Sequence, residues 1–331
     1  MTRSLITGIT GQDGSYLTEA LLAEGHEVHG LVRQSSHLQR SRLDALPACA
    51  AAKAEGRLVL HYADLTDSSS LQWLVRQVAP SEVYHLAGQS HVKVSFDLPE
   101  YTAETTGLGT LRLLEAVRQN APEARFFLAA TSEIFGEPAE SPQSETTPPA
   151  PVNPYAAAKL YALNLVRIYR RAYGLFACAG ILFNHESPRR GENYVTRKIA
   201  RAAARISRGL ERDVHLGTLA SRRDWGWAPD TVAGIRAILG AGRPDDFVLA
   251  TGEAHSVEEF CALAFRTVGL DHRDHVVLDP RYVRPVDITE TLGDAGKARR
   301  ELGWEPRVGF PELVGRMVEA ELAGIERPDG G

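Results

Sequence analysis

The chain has 331 residues, of which 44% are hydrophobic, 24% charged and 7% aromatic. This is the composition of a globular protein, and it excludes an intrinsically disordered, a collagen-like or a disulfide-scaffold protein. The chain carries 37 basic and 42 acidic residues, a formal net charge of −5, and no block of like charge stands out. We therefore expect neither a nucleic-acid partner nor a membrane partner.

Cysteine content and the first residues indicate the compartment. Cys49, Cys178 and Cys261 are widely spaced and odd in number, so they form neither a disulfide framework nor a CxxC metal motif. The chain runs directly into an apolar strand without the charged and apolar segments of a signal peptide, and no later apolar run is long enough to span a membrane. These features predict a cytoplasmic protein.

The first half of the chain alternates short β-rich runs with longer amphipathic segments, a pattern typical of βαβ units that build a parallel sheet. The pattern predicts strands over residues 4–7, 27–32, 58–61, 82–86, 125–130 and 177–182. Between them it predicts helices over residues 15–24, 68–78, 102–119 and 154–173. The expected fold class is therefore α/β with a doubly wound parallel sheet.

The pattern changes in the second half, where the elements become shorter. The segment 136–151 carries five of the 18 prolines and is predicted to be a loop. After residue 182, helices are predicted over 195–209, 230–239, 257–268 and 311–322, and a strand over 214–216. We expect a first domain over residues 1–182 and a smaller, partly interleaved domain over 183–331, some of whose segments return to the first sheet.

Three glycines follow the first predicted strand and precede the first predicted helix. Gly8 permits a tight turn, Gly11 lets backbone N–H groups approach a pyrophosphate, and Gly14 allows close helix–strand packing. Between a strand and a helix, this GxxGxxG spacing predicts a Rossmann-type dinucleotide-binding domain, although a purely structural turn is the alternative.

The end of the second predicted strand bears on which dinucleotide binds. An NAD-specific protein is expected to carry an acidic residue there for the ribose hydroxyls. The sequence instead has Arg33, followed by Gln34, Ser35 and Ser36. Arg33 favours NADP over NAD, the alternative being a solvated arginine at a strand end.

Tyr155 and Lys159 lie four residues apart on a predicted helix that begins with Asn153 as N-cap and Pro154 at the first position. The two side chains are therefore neighbours on one helix face. An ammonium beside a phenol lowers the pKa of Tyr155 from about 10 toward neutrality, so the phenol could exchange a proton with a substrate hydroxyl. A chance pair on a helix is the alternative.

Thr131 and Glu133 follow the fifth predicted strand, at the sheet edge where doubly wound folds bind their ligands. The Thr131 hydroxyl could hydrogen-bond the reacting oxygen, and Glu133 could act as a general acid or base. Alternatively, both side chains are caps of a loop.

Together these motifs resemble the extended short-chain dehydrogenase/reductase superfamily, whose marks are the GxxGxxG loop, a Ser or Thr after the fifth strand, and YxxxK. More narrowly, the chain resembles the GDP-mannose 4,6-dehydratase family over nearly its full length. The strings that carry this narrower resemblance are ITGITGQDGSYL at 6–17, QSHVKVSF at 89–96, TSE at 131–133, PYAAAKLY at 154–161 and LFNHESPRRGEN at 182–193.

The resemblance implies which residues bind the two ligands. Those implied to surround NADP are Gly8, Thr10, Gly11, Gln12, Asp13, Gly14, Arg33, Ser35, Ser36, Asp64, Leu65, Leu86, Ala87, Gln89, Ser90, Tyr101, Lys159, His185 and Arg190. Those implied to face the GDP-sugar are Ser90, Asn184, Lys198, Arg223 and Arg284, and the planar forks of the two arginines suit a diphosphate. The alternatives are solvated surface arginines and, for His185, a satisfied buried histidine.

The implied activity is an NADP-dependent hydro-lyase reaction that converts GDP-mannose to GDP-4-keto-6-deoxy-mannose. Tyr155 takes the proton of the hexose 4-hydroxyl while hydride leaves C4 for NADP. Glu133 then removes the C5 proton and assists loss of the 6-hydroxyl as water, after which the same hydride returns to C6. Thr131 and Lys159 complete the catalytic set, and the cycle is redox-neutral.

Departures from the family pattern leave related activities open. Gln34 stands where a second arginine is usual, Thr105 and Thr106 replace a typical Val-Asp pair, Trp227 replaces a histidine, and the stretch 269–284 is shorter. A related GDP-hexose or GDP-heptose 4,6-dehydratase therefore remains an alternative.

Three further expectations concern chemistry and assembly. A sugar-nucleotide 4-epimerase or 4-reductase needs no base at C5, so Glu133 argues against both; Tyr155 and Lys159 argue against a non-catalytic dinucleotide sensor. No cluster of histidines, cysteines or carboxylates has metal-ligand spacing, so we expect no metal. The resemblance implies a homodimer through a helix bundle, or a homotetramer in which the loop 35–42 reaches a neighbour's cofactor.

Overall fold

Parallel strands form the main sheet, and the computed structural model describes residues 2–34, 41–283 and 286–326. The strands of the described chain are β1 (Arg3–Thr7), β2 (Glu27–Val32), β3 (Leu58–Tyr62), β4 (Glu82–His85), β5 (Arg125–Thr131), β6 (Ala177–Leu182), β7 (Asn184–Glu186), β8 (Val214–Leu216), β9 (Arg222–Trp227), β10 (Asp246–Leu249), β11 (Ala254–Ser256), β12 (Val276–Leu278) and β13 (Glu290–Thr291). Seven of them pair in the order β10-β6-β5-β4-β1-β2-β3, all in parallel. From β1 the chain adds β2 and β3 on one side of the sheet and then β4, β5 and β6 on the other. The strand order therefore reverses between β1 and β4, and folds of this kind bind their ligands at such a point.

Helices cover this sheet and form most of the second unit. In chain order they are α1 (Gln12–Ala23), α2 (Ser41–Asp44), α3 (Pro47–Ala54), α4 (Ser68–Val78), α5 (Val92–Asp97), α6 (Pro99–Thr102), α7 (Gly109–Asn120), α8 (Pro154–Tyr173), α9 (Val195–Ser207), α10 (Ala228–Gly240), α11 (Val257–Thr267), α12 (Gly296–Leu302) and α13 (Phe310–Glu326). Every residue of β6 is buried. Side chains of β5 alternate between two apolar cores, with Phe126 in one and Phe127 in the other. Burial on both faces explains why these strands are continuously apolar.

The second unit is built on small sheets with a helical cover. Strands β11, β9 and β13 pair side by side, β7 pairs with β9, and β12 pairs with β8. Trp225 of β9 packs edge-on against Phe260 at 5.5 Å between ring centroids and stacks on Phe310 at 6.0 Å. Helices α9, α11 and α13 thereby share one apolar core with β9.

The loop 136–151 joins the two units. It starts at Gly136, whose φ of 60° favours glycine. It closes where the Ala150 N–H donates to the Ile134 carbonyl at 2.9 Å. Gln143, 1% exposed, lies against the segment after β13: its N–H donates to the Leu292 carbonyl at 2.7 Å, and its carbonyl accepts from the Asp294 N–H at 2.8 Å. The predicted loop is confirmed, and its backbone hydrogen bonds at Gln143 connect it to the segment after β13.

The predicted α/β class with a doubly wound parallel sheet is confirmed. Strands 27–32 and 177–182 and helices 68–78 and 154–173 have the predicted bounds. The predicted helix 102–119 instead contains a π-helical turn, Ala103–Leu108. Strand β10 was not predicted, and it brings a segment of the second half back to the first sheet. The boundary at residue 182 stays a prediction.

The buried carboxylate of Asp224 ties β9 to two loops. It accepts the Thr251 N–H at 2.8 Å, the Thr251 hydroxyl at 2.7 Å, the Gly252 N–H at 2.9 Å and the Gly293 N–H at 3.3 Å. Removing the carboxylate leaves several buried donors without an acceptor. We expect Asp224→Ala to lower the free energy of unfolding by about 2–4 kcal/mol, measured by urea denaturation.

A matched control for this prediction is Asp294→Ala. Asp294 is exposed and accepts the N–H of Gly296 at 2.7 Å, so its loss should cost less than about 1 kcal/mol. Equal losses from the two variants would contradict the role of Asp224 as a buried tie.

Among the residues that the structure describes, no helix is both long enough and apolar enough to cross a membrane.

Candidate active site

The glycine-rich turn forms a cradle at the start of α1. The Gly8 carbonyl accepts the Gly11 N–H at 2.9 Å, and Gly8 has a φ of 75°. A Cβ at Gly14 would lie 2.3 Å from the Gly8 oxygen, so only glycine permits this approach. Gly11 is the N-cap of α1 and supplies no side-chain cap, which leaves the first N–H groups of the helix available to an anion. The cradle therefore fits a dinucleotide pyrophosphate.

Side chains from β7 and the segment after it hold the first turn of α1. The Gln12 amide donates to the His185 carbonyl at 3.0 Å and accepts from the Ser187 hydroxyl at 2.8 Å. His185 Nε2 lies 2.9 Å from the Asp13 carboxylate, and its Nδ1 lies 2.8 Å from the Phe183 carbonyl. The structure thus brings together Gln12, Asp13 and His185, three of the residues predicted to bind the cofactor.

The Asp13–His185 pair makes stability depend on pH. Burial lowers the pKa of His185, but the charge of Asp13, the hydrogen bond to Asp13 and the hydrogen bond to the Phe183 carbonyl together outweigh burial and raise it above its ordinary 6.5. Burial likewise raises the pKa of Asp13, yet His185 holds it below 3.8. The His185 contribution is therefore complete below pH 6.5 and is lost as pH rises through the folded-state pKa, whereas the Asp13 contribution is lost only in acid.

We expect the cofactor-free protein to lose stability on going from pH 6 to pH 8 because of this pair. Urea denaturation at the two pH values measures the loss, and His185→Gln should reduce it. Asp13→Asn should do the same, since either variant removes the pair. An unchanged pH dependence in both variants would contradict the prediction.

Two predicted cofactor residues meet at the end of β2. The exposed Arg33 guanidinium donates to the Tyr101 hydroxyl, 68 residues away in sequence. Asp64, after β3, accepts the N–H and hydroxyl of Thr66 at 2.9 and 2.8 Å, and the adjacent Leu65 is buried. Three predicted residues, Ser35, Ser36 and Arg284, lie outside the described residues.

The segment after β4 crosses the glycine-rich turn. The Leu86 N–H donates to the Thr7 carbonyl and the Ala87 N–H to the Thr7 hydroxyl, both at 3.2 Å. A Cβ at Gly8 would lie 2.8 Å from the Ala87 nitrogen, so residues 86 and 87 line the same cradle. Further along, the Gln89 N–H donates to the Thr106 hydroxyl at 3.1 Å. Thr106, one of the two threonines that differ from the family pattern, therefore holds the main chain of Gln89.

Thr10 and Ser90 each have a partner from a distant part of the chain. The Thr10 carbonyl accepts from the Arg42 guanidinium at 3.1 Å. The Ser90 hydroxyl lies 2.9 Å from the Tyr194 hydroxyl.

His85, the last residue of β4, contacts Thr7 at the glycine-rich turn and was not predicted as a site residue. Its ring nitrogens lie 2.7 Å from the Thr7 hydroxyl and 3.0 Å from the Thr110 hydroxyl. Burial, with a smaller effect from the Lys159 charge, lowers the pKa of His85 to about 3. His85 is therefore a neutral, hydrogen-bonded histidine under the floor of the site, and a lone histidine in a strand carries no sequence signal for this.

Tyr155 and Lys159 lie in the first turns of α8, as predicted, and are 8% and 5% exposed. The Lys159 ammonium donates to the Ala129 carbonyl of β5 at 2.6 Å. Burial lowers the pKa of Lys159 to about 8, while the Asp13 charge opposes this shift. Lys159 is thus buried at the edge of the sheet, and it lies close enough to the cradle for the charge of Asp13 to raise its pKa.

The pKa of Tyr155 differs from the sequence expectation. Burial raises it above its ordinary value, and the hydrogen bond from the Thr131 side chain opposes the shift only in part. The charges of Tyr194 and Glu133 raise it further. The expected lowering of the Tyr155 pKa by Lys159 is therefore not found in the cofactor-free protein: burial dominates the shift and Tyr155 retains its proton, while the Lys159 ammonium donates to the Ala129 carbonyl.

Glu133 lies in a 3₁₀ turn, Ser132–Phe135, directly after β5. It is 8% exposed, and its N–H donates to the Thr131 hydroxyl at 3.3 Å. Its Oε2 accepts from the Asn153 amide at 3.0 Å. Since Thr131 contacts Tyr155 and the Glu133 charge acts on Tyr155, the structure brings Thr131, Glu133 and Tyr155 into one buried pocket.

Arg190 and Tyr194 lie near this pocket, since the charges of both act on Tyr155. The Arg190 guanidinium lies 3.8 Å from the centroid of the Tyr194 ring and 3.2 Å from the Glu186 carboxylate. Burial disfavours the charged form of Arg190, but Glu186, together with smaller effects from Tyr194, Asp13 and Tyr155, outweighs burial and raises the pKa of Arg190. Tyr194 and Asn153 were not predicted as site residues: Tyr194 gives no motif signal, and Asn153 was interpreted only as a cap.

The predicted sugar-nucleotide residues lie on the second unit. The Lys198 ammonium donates to the His215 carbonyl at 2.6 Å and lies 3.6 Å from the centroid of the exposed Tyr282 ring. Arg223 is buried and donates to the Ile288 carbonyl at 2.8 Å and the Asp287 carboxylate at 2.9 Å.

Asn184 begins β7, in register with Trp225 of β9, and directly precedes His185. Among the residues predicted to bind substrate, it therefore lies between the glycine-rich cradle and the second unit. The contacts that Asn184, Lys198 and Arg223 would make with a nucleotide stay predictions.

Within the described ranges, no group of three or more histidines, cysteines and carboxylates is arranged to hold a metal ion.

A seven-stranded Rossmann sheet, a glycine-rich cradle, a threonine after β5 and a Tyr-x-x-x-Lys helix together define the extended short-chain dehydrogenase/reductase class. Within that class the comparisons with known proteins are specific. The family model for GDP-mannose 4,6-dehydratase matches residues 5–317. The chain belongs to the GDP-mannose 4,6-dehydratase family.

Individual relatives agree with this assignment. The chain is 52% identical to GDP-mannose 4,6 dehydratase 2 of Arabidopsis thaliana over 98% of its own length and 88% of that protein. It is 49% identical to human GDP-mannose 4,6 dehydratase over 96% of its own length and 91% of that protein.

Solved structures of related enzymes share the fold. The Thermus thermophilus UDP-glucose 4-epimerase in complex with NAD matches with a TM-score of 0.83 and 28% identity, covering 97% of this chain and 99% of that one. A double mutant of the dTDP-glucose 4,6-dehydratase of Streptomyces venezuelae with NAD bound matches with a TM-score of 0.82 and 26% identity, covering 96% of each chain.

Proposed function

We propose that this protein dehydrates GDP-mannose to GDP-4-keto-6-deoxy-mannose, with Thr131, Glu133, Tyr155 and Lys159 as its catalytic residues. One observation carries the proposal: a phenol and a carboxylate share a buried pocket beside the glycine-rich cradle. Epimerases and reductases of this class need the phenol but no base for a C5 proton. The carboxylate of Glu133 therefore favours dehydration over 4-epimerization and 4-reduction, in agreement with the family of the chain.

A nicotinamide dinucleotide is the cofactor that the site supports. The uncapped N-terminus of α1 and the close approach of Gly8 to Gly14 suit a pyrophosphate. Two enzymes of similar structure carry NAD in this fold. We propose NADP for this chain, because Arg33 at the end of β2 offers a cation to a 2′-phosphate where an acidic residue would favour NAD.

The residues of the chain divide the proposed reaction into two proton transfers. When bound, the oxidised nicotinamide supplies a positively charged ring and a hydride acceptor that takes hydride from C4 and returns it to C6. Tyr155 accepts the proton of the 4-hydroxyl as the C4–H bond breaks, and the Thr131 hydroxyl donates a hydrogen bond to the resulting ketone oxygen. Tyr155 is protonated in the cofactor-free protein, so we propose that the positive ring charge of the bound cofactor, beside the Lys159 ammonium, lowers the pKa of Tyr155 and produces the phenolate that acts as base.

Glu133 performs the second transfer. The 4-ketone acidifies the C5–H bond, the Glu133 carboxylate takes that proton, and the protonated carboxyl then delivers a proton to the departing 6-hydroxyl. When hydride returns to C6, C5 takes a proton from solvent, and Tyr155 releases to solvent the proton that it accepted from the 4-hydroxyl. One water leaves and no net oxidation occurs, so one dinucleotide serves many turnovers. The sugar residue for which this pocket is selective is proposed to be mannose, with a related hexose or heptose as the alternative.

Incubation of the NADP-loaded protein with GDP-mannose in deuterated water tests the proposal. The expected product is lighter than substrate by one water and carries one solvent deuterium at C5, detected by mass spectrometry and NMR. A product without deuterium at C5, or turnover without loss of water, would rule out the elimination step. A parallel panel of GDP-, UDP-, CDP- and dTDP-sugars tests the nucleotide.

Arg33 should set the preference for NADP over NAD. We expect Arg33→Ala to weaken NADP binding about tenfold, through loss of one charge-assisted contact, while NAD binding changes little. Fluorescence titration of the purified protein with both dinucleotides measures this. Arg243→Ala, whose side chain is 73% exposed, is the matched control, and an equal loss for NAD and NADP would contradict the prediction.

We further propose that the protein is a cytoplasmic homodimer or homotetramer. Tyr161 and Ile168 on α8 are 43% and 52% exposed and lie seven residues apart, so they form one apolar stripe suited to a helix bundle. The three cysteines are buried free thiols, which suits a reducing compartment. Light scattering on the purified protein distinguishes dimer from tetramer, and a monomer at micromolar concentration would contradict the assembly.

A further inference from the structure

The amide of Asn153 contacts two elements of the candidate active site at once. Its Oδ1 accepts the Ala156 N–H at 2.8 Å and so caps α8, the helix that carries Tyr155. Its Nδ2 donates to Glu133 Oε2 at 3.0 Å. Asn153 is 6% exposed, so both hydrogen bonds are largely shielded from water.

The two contacts fix the orientation of the amide. The Ala156 N–H can only donate, so it requires the oxygen of the amide, and the NH₂ group must then face Glu133. A flipped amide would set its oxygen against the carboxylate and its NH₂ against the N–H, which are two repulsive contacts. The cap of α8 thereby determines that a donor faces Glu133.

The contact also restricts the carboxylate. Glu133 lies in a short 3₁₀ turn whose main chain is held by the Thr131 side chain, but its carboxylate could still rotate about the last side-chain bond. The hydrogen bond from Asn153 holds Oε2 and so limits this rotation. Because Tyr155 is the second residue of the helix that Asn153 caps, one side chain relates the phenol to the carboxylate.

We infer that Asn153 is a positioning residue that aligns the Glu133 carboxylate for the C5 proton, so that dehydration depends on it more than oxidation at C4 does. The inference rests on the proposed function, in which Glu133 is the base. Misplacement of a catalytic group by about 1 Å can cost about 10²-fold in rate.

Two variants separate alignment from capping. Asn153→Ser keeps an N-cap oxygen but is too short to reach Glu133, and Asn153→Asp keeps the cap while facing Glu133 with an acceptor. For both, on the NADP-loaded protein, we expect an unchanged KM for GDP-mannose, kcat lower by about 10- to 100-fold, and entry of solvent deuterium at C5 slowed by the same factor. Asn153→Ser should keep the melting temperature, whereas Asn153→Asp should lower it, because two carboxylates then face each other in a buried position.

The fraction of enzyme that holds reduced dinucleotide during turnover gives the decisive readout. If the C5 step slows while oxidation at C4 does not, this fraction, followed by the absorbance of the reduced nicotinamide, rises above that of the unsubstituted protein. A fall in this fraction would mean that Asn153 affects only the oxidation at C4, through Tyr155. A fall, or an unchanged kcat in both variants, would overturn the inference.

Ser256→Ala is the matched control for helix capping, since Ser256 caps α11 in the second unit through the Glu259 N–H at 3.0 Å. It should lower the melting temperature and leave the reduced fraction unchanged; a reduced fraction that follows melting temperature would overturn the inference. Failure of the proposed function is distinguishable, because the unsubstituted protein would then release no water from GDP-mannose.

Discussion

Glu133→Gln is expected to lower kcat for dehydration by about 10³-fold while oxidation at C4 continues. General acid–base catalysis by a positioned side chain contributes about 10²- to 10⁴-fold, and the amide can neither take the C5 proton nor protonate the leaving hydroxyl. The variant should therefore accumulate reduced dinucleotide and a 4-keto hexose of unchanged composition apart from two hydrogens. Mass spectrometry of a single turnover, together with nicotinamide absorbance, measures both.

The control for this variant is Glu137→Gln, four residues further along the chain, in the loop 136–151. Glu137 is exposed, and its Oε1 accepts the Thr289 N–H at 2.7 Å, a contact that the amide oxygen of Gln preserves. Turnover should be unchanged. Normal water loss in Glu133→Gln would show that another group removes the C5 proton and would remove the main support for dehydration.

Tyr155→Phe should lower kcat by about 10³-fold through the earlier step. The phenyl ring fills the same buried space, but no group remains to accept the 4-hydroxyl proton as hydride leaves C4. Neither reduced dinucleotide nor C5 deuterium should appear, in contrast to Glu133→Gln. Absorbance and deuterium measurements on the two variants therefore order the two proton transfers.

Tyr173→Phe is the control for this second prediction, because Tyr173 lies at the far end of the same helix and is 54% exposed. We expect its kcat to be unchanged. If Tyr155→Phe still reduced the dinucleotide at the normal rate, the phenol would not be the proton acceptor, and Lys159 or water would have to take that role.

Local patterns made part of the site predictable. Tyr155 and Lys159 share a helix face at i and i+4, and the glycines at 8, 11 and 14 lie between a strand and a helix. Each signal lies within a few residues of sequence and follows from the geometry of one element.

Contacts across the fold were not predictable in the same way. Tyr194 reaches Ser90 over 104 residues, and Asn153 reaches Glu133 over 20 residues. Such contacts arise from the packing of separate elements, and no periodicity in a single sequence encodes them. The predicted lowering of the Tyr155 pKa was wrong for the same reason. The burial of Tyr155 and the direction of the Lys159 side chain both depend on how the pocket is assembled.

The return of β10 to the main sheet limits how this protein can be divided. A chain cut after β6 would lose β10, its parallel neighbour, and would present β6 as an open apolar edge, which promotes aggregation. A chimera that takes its nucleotide-sugar half from a relative therefore cannot be made with one junction. It needs the segments on both sides of α10 and β10 to be exchanged while those two elements stay with the dinucleotide-binding half.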